Sequence, residues 1–219
     1  MRPAENASLE REITTAGQLL VEGRVPEMFF REMVAAYDLK DLVEVRTFGD
    51  IGKDNLQTYF EIFTQKPGFK QKVKRLGIIR DAENNPADSA FQSVRASLRG
   101  ASLPVPGEMN QLEGAPLSLA VFILPNCQDA GMLETLCLAS AKEVEQIRDI
   151  FPCLDEFFDC LEKQGRKPGN PDKSRFAGLA LACDVIDPQL GRAAQQGKIP
   201  WQTQAFKPLK LFLQKIADP

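Results

Sequence analysis

Leu19-Leu20-Val21-Glu22-Gly23 and Leu76-Gly77-Ile78-Ile79-Arg80-Asp81-Ala82-Glu83 are two short apolar runs, each ending in carboxylate. Their length and aliphatic character predict buried strands of a parallel sheet. The acids then stand where the backbone leaves the sheet, at its C-terminal edge, where open α/β sheets bind ligands. Neighbouring parallel strands lie about 4.8 Å apart, so carboxylates on adjacent strand ends can share one divalent cation. Asp81 and Glu83 project to the same side if the strand stays extended between them. Taken singly, each acid is an ordinary cap or loop residue. Their joint placement on strand ends, with Gly23 freeing the first turn, is what points to a site.

Strand and helix signals alternate outward from these runs. Gln18–Glu22 reads as strand, and Pro26 marks a helix start with Met28, Phe29, Met33, Val34 and Tyr37 at helical spacing. Leu42–Phe48 alternates as a second strand. Asp54 offers an N-cap for a helix over Asn55–Gln65, striped by Leu56, Tyr59, Phe60 and Phe63. Val73–Arg80 is the third strand and Pro86–Arg99 the third helix, with Phe91, Val94 and Leu98. After a Pro/Gly-rich stretch, Gly100–Pro116, which reads as a lid or a β-excursion, Leu117–Leu124 is the fourth and most continuous apolar strand. Met132–Ala139 follows as a short helix. The order predicts an α/β domain over residues 1–140 with a mostly parallel sheet of about four strands and helices on both faces.

From Ser140 onward strand signals stop. Ala141–Ile150, Pro152–Gln164, Asp172–Cys183 and a last segment opened by Pro208, with Leu209, Leu211, Phe212 and Ile216, all read as helix. Residues 141–219 are therefore expected to form a helical extension packed on the sheet domain.

The chain has 219 residues, 30 acidic and 27 basic side chains, and a net charge of −3, so overall charge does not imply non-specific nucleic-acid binding. Fourteen Phe against two Tyr and one Trp suggest an apolar core more than a base-stacking surface. Histidine is absent, which removes Ser-His-Asp and Cys-His catalysis and imidazole metal ligands. The five cysteines form no Cys-x-x-Cys pair and read as buried thiols in a reducing compartment. With no signal peptide and no apolar run of membrane-spanning length, a cytoplasmic protein is expected.

Leu-Leu-Val-Glu22-Gly23, a Gly-rich loop after the second strand, and Asp81-Ala82-Glu83 after the third together resemble a Toprim domain, the fold shared by topoisomerases, bacterial primases and OLD-family nucleases. The Gly49-Asp-Ile-Gly52-Lys53-Asp54-Asn55 segment is most similar to a small Toprim-like family of bacteria. The resemblance covers roughly residues 17–140, with a weaker echo at Asp172-Lys173-Ser-Arg175. It implies that Glu22 is a metal ligand or general acid/base, that Asp81 and Glu83 are the metal-binding pair, and that Glu134 is a further acid. The chain departs from the Toprim pattern in two places: Asp81-x-Glu83 stands for Asp-x-Asp, and Pro26 occupies the position where an acid commonly follows the first motif, with Glu27 one residue late. No tyrosine nucleophile or zinc module is recognisable.

The resemblance implies Mg2+- or Mn2+-dependent phosphoryl transfer on DNA or RNA, above all phosphodiester cleavage. Lys173 and Lys53 are the candidate phosphate contacts, since a cation beside a two-carboxylate metal site can neutralise charge on a transferring phosphoryl group. The glycines before Lys53 do not make a Walker A loop, because their spacing is short and Asp54 follows the lysine. Lys66–Arg75 carries five positive charges and no acid, yet enters the third strand at the end opposite the acids, as a solvated basic turn would. A non-catalytic metal- or nucleotide-binding module within a larger complex is the alternative, and a protein partner or homo-oligomer belongs to either reading. A receiver or phosphohydrolase domain is the third class; the latter would want Asp-x-Asp-x-Thr on the first strand, which is absent.

Overall fold

A computed structural model describes residues 11–49 and 55–218. The apolar runs become β1 (Gly17–Val21), β2 (Val43–Thr47), β3 (Arg75–Asp81) and β4 (Ser118–Leu124), paired in one four-stranded sheet of order β2-β1-β3-β4. Every pairing is parallel. Between the strands lie α1 (Arg24–Ala36), α2 (Leu56–Thr64) with the short α3 (Phe69–Lys72), and α4 (Ala87–Gly100). After β4 the chain is helical: α5 (Leu133–Lys142), α6 (Glu145–Arg148), α7 (Phe151–Lys163), α8 (Pro171–Ala182), α9 (Leu190–Gln195) and α10 (Lys207–Ala217).

Alternation along the strands sorts two cores, one on each face of the sheet. Leu19, Val21, Ile79 and Phe122 join Phe29, Phe30 and Met33 of α1 on one face. Leu20, Ile78, Val121 and Ile123 join α2 and α4 on the other, through Tyr59, Phe60, Phe63, Phe91, Val94 and Leu98. The α1 face also carries the C-terminal helices, whose Leu179, Leu190, Leu209 and Phe212 lie in the same apolar cluster, together with Phe206 just before α10. Helix α10 rests directly on the strands: a Cβ at Gly17 would fall 2.5 Å from the Ile216 carbonyl oxygen, and one at Gly77 2.9 Å from Ile216 Cγ1.

Gly100–Pro116 runs back along the outer edge of β4. Glu113 and Leu119 exchange two backbone hydrogen bonds (2.9 and 2.7 Å), and the Asn110 N–H donates to the Val121 carbonyl at 2.7 Å. This excursion covers backbone groups that an edge strand would otherwise expose.

Several local expectations change. The helix expected over Ala141–Ile150 breaks at Glu143-Val144. Val144 is extended, and the Glu143 carboxylate turns to accept the N–H groups of Gln204 (2.6 Å) and Ala205 (2.8 Å). On α10 the buried stripe is Leu209, Phe212, Leu213 and Ile216, so Leu211 faces outward. The cysteines are all free, but only Cys137 is fully buried, and Cys153 and Cys160 are exposed. Both sit on α7, whose buried residues are Phe151 and Leu154, leaving Phe157 56% exposed. The Asp54 cap, with Gly52 and Lys53, lies outside the described residues. Among the described residues no helix is long and apolar enough to cross a membrane.

Candidate functional site

The strand order fixes where a site can form. From β1 the chain crosses to β2 on one side, then returns past β1 to β3 and β4 on the other. The order reverses between β1 and β3, and the crevice beyond the C-terminal ends of such a strand pair is the usual ligand site of open α/β sheets. Glu22 follows β1 directly, and Asp81 ends β3. Glu22, Asp81, Glu83, Glu134 and Lys173 line one cleft there, about 370 Å3 in volume. Five of the six residues singled out from the sequence thus converge; the sixth, Lys53, lies outside the described residues.

Each side chain has a local cause for its position. Gly23 takes φ 95°, a backbone angle suited to glycine, and starts α1 immediately after Glu22. The Thr47 hydroxyl accepts the N–H groups of both Gly23 (2.9 Å) and Gly49 (3.0 Å), drawing the loop after β2 onto this turn. The approach is close enough that a Cβ at Gly49 would lie 2.8 Å from the Gly23 nitrogen. Arg80 Nε stands 3.7 Å from Glu22 Oε2 and holds that carboxylate from the β3 side.

Asp81 Oδ1 accepts the Leu133 N–H at 3.0 Å, so the end of β3 caps the first turn of α5. Burial pushes the Asp81 carboxyl up to about 7, the nearby charges of Glu134 and Glu22 add to the rise, and the Leu133 N–H and Lys173 oppose it. Glu134 is also raised, chiefly by burial and further by Asp172, against its own backbone N–H and Lys173. Two acids that resist ionisation beside further carboxylates make a place where a cation would be favourable.

The extended-strand premise for Glu83 does not hold. Glu83 turns left-handed at φ 57°, and its N–H and carbonyl exchange hydrogen bonds of 2.8 and 2.7 Å with Gly131. That bridge, rather than strand alternation, aims Glu83 at the cleft and brings the start of α5 beside β3. Lys173 lies in the first turn of α8, where Asn170 caps the helix by accepting the Lys173 N–H at 3.0 Å.

Sequence reasoning did not find the opposite wall. Phe176, Pro188, Gln189 and Leu190, from α8 and the turn into α9, close the cleft from the far side. Helix α9 carries no apolar stripe to announce it. Its Gly191 lets it cross α1 closely, since a Cβ there would meet Met28 Cβ at 2.9 Å. Nor did the sequence indicate that Thr135 donates its hydroxyl proton to the Asp172 carboxylate while accepting the Met132 N–H at 3.0 Å. This pair ties the helix bearing Glu134 to the helix bearing Lys173.

The donor set is hard oxygen throughout, which suits Mg2+ or Mn2+ over softer metals. Among the described residues no three acids close into a metal-holding group. Magnesium is commonly held by one or two carboxylates completed by water and substrate oxygens, and Glu22 and Asp81 are the residues of the cleft that could hold it so.

No curated protein and no solved structure matches the chain. A family model described as "Protein of unknown function (DUF3226)" matches residues 16–218, and the chain belongs to that family.

Proposed function

We propose that this protein is a Toprim-like, Mg2+- or Mn2+-dependent phosphoryl-transfer enzyme of the cytoplasm that acts on nucleic acid, most plainly by phosphodiester cleavage. The observation that carries the reading is the convergence of Glu22, Asp81, Glu83 and Glu134 with Lys173 in one cleft at the strand-order reversal. Glu22 and Asp81 would supply metal oxygens, with Glu83 directly or through water. When bound, the cation would polarise the phosphate and lower the pKa of a water nucleophile. Glu134 shapes the field around Asp81, and Lys173 carries the positive charge that meets negative charge developing on the phosphoryl oxygens. Lys53 is a second candidate for that role. Where it does not hold metal, Glu22, beside Arg80 at 3.7 Å, would act as the general acid/base toward the attacking water or leaving oxygen.

A non-catalytic metal- or nucleotide-binding module is the second reading. It draws support from the partial commitment of the acids, since Glu22 faces Arg80 and one Asp81 oxygen accepts from Leu133.

Calorimetric titration with Mn2+ tests both readings at the metal. The parent chain should bind, and Asp81→Asn should weaken binding strongly because it removes charge and keeps shape. Equal affinity in the variant would remove the metal site. Mn2+-dependent shortening of a linear DNA strand or cleavage of short RNA should occur in the parent and be lost in Glu22→Gln and in Lys173→Ala. Metal binding without cleavage of any nucleic acid selects the binding module.

A further inference from the structure

A bare sheet edge of this kind would be open, whereas here it is walled on both sides. Val25 and Pro26 of α1 and Leu133 of α5 form one flank, and Phe176, Pro188 and Leu190 form the other. Neither flank is loosely attached. The Thr135–Asp172 hydrogen bond joins α8 to α5, and Asn170 Nδ2 lies 3.5 Å from Met132 Sδ beside it. On the other side Gly191 seats α9 against α1, with room for no Cβ between it and Met28. The space between the flanks is about 370 Å3, at the lower end of the range for small-molecule sites.

Charge narrows the ligand further. Binding a polynucleotide along its backbone takes several cations, one for each phosphate neutralised. Among the described residues that line the cleft, Lys173 is the one cation, facing four carboxylates. One phosphate group can be accommodated beside Lys173 and a divalent cation. Val25, Pro26 and Pro188, the half-buried members of the flanks, offer apolar surface to a body that is flat and weakly polar, as a nucleobase is.

Resting on the phosphoryl-transfer reading of this cleft, we propose that its substrate is a single nucleotide unit carrying one phosphate, presented as a free nucleotide or as the terminal residue of a single strand.

The test uses the full chain with two probes. AMP is titrated calorimetrically in the presence of Mn2+, and a linear single-stranded oligonucleotide is compared with the same sequence closed into a circle. AMP should bind. Gln189→Trp, which fills the cleft mouth from an exposed position, should weaken AMP by at least roughly tenfold and leave Mn2+ affinity unchanged. Lys173→Ala should also weaken AMP, without filling the space. Shortening of the linear strand with an intact circle identifies a strand terminus as the source. AMP binding with neither strand cut identifies a free nucleotide, and then the ligand class stands while cleavage of nucleic acid falls. Cutting of the circle as fast as the linear strand overturns the proposal, as does Mn2+ binding with no AMP binding. Absence of Mn2+ binding is read separately and counts against the metal reading alone.

Discussion

The Leu133 N–H donates to Asp81 Oδ1 at 3.0 Å, so the last residue of β3 serves as the anchor for the first turn of α5. One contact thereby sets both the carboxylate at the sheet edge and the helix that presents Glu134. It also holds Asp81 among acids in a partly buried place, where its carboxyl rises to about 7.

That rise has a consequence for stability. A carboxyl whose pKa is higher in the folded chain than its ordinary 3.8 favours folding when protonated. Its ionisation penalises the fold progressively as pH climbs from the ordinary value through about 7. Asp81→Asn keeps an acceptor for Leu133 and cannot ionise. In chelator-treated samples the variant and the parent should melt together near about pH 4, and the variant should be the more stable near about pH 8, by on the order of 2–4 kcal/mol. A parent that gains stability relative to the variant as pH rises would contradict the placement of Asp81.

Thr135 links α5 to α8. Thr135→Val preserves shape but strips the Met132 N–H of its acceptor and the Asp172 carboxylate of its donor. The expected loss is about 1–3 kcal/mol in urea unfolding. Thr135→Ser keeps the hydroxyl and should recover most of it.

Gly49 touches the turn that holds Glu22. A methyl group at Gly49 would meet the Gly23 nitrogen at 2.8 Å, and backbone cannot rotate away as a side chain can. Gly49→Ala should destabilise by about 1–3 kcal/mol and weaken Mn2+ binding by shifting the Glu22 turn. Gly169 has nothing within 4 Å of an added Cβ, so Gly169→Ala serves as a neutral control.

Arg46 is fully buried in the sheet region. It donates to Gln18 Oε1 at 2.9 Å, to the carbonyls of Arg11 (2.9 Å) and Glu12 (2.6 Å), and to Glu44 Oε1 at 2.6 Å. Arg46→Met should cost about 3–5 kcal/mol, because it leaves several inward-facing acceptors and the Glu44 charge without their donor. The measurement is chemical unfolding of the parent and variant. The guanidinium reaches back to Gln18 and Glu44, toward the N-terminal strand ends and away from the cleft, so Mn2+ affinity of the folded variant should match the parent.

The amino-acid sequence by itself determined the sheet and the identity of its acidic edge. β-rich apolar runs alternating with helical stripes are local patterns, so Leu19–Val21, Leu56–Phe63 and Phe91–Leu98 could be read without knowing their neighbours. Glu22 and Asp81 were legible because a strand must end somewhere, and the residue at that end is written next to it. Tertiary structure decided the rest. Helix α9 is built from Leu190-Gly-Arg-Ala-Ala-Gln, which carries no periodic signal; it is defined by Gly191 fitting over Met28 from a distant part of the chain. Glu83 reaches the cleft through a backbone bridge to Gly131, a partner no local pattern names. The second wall, and with it the size of the space, depends on Thr135 meeting Asp172 across two helices. Local propensity specifies which residues begin and end an element, whereas the shape of a cleft comes from contacts between elements far apart in the chain.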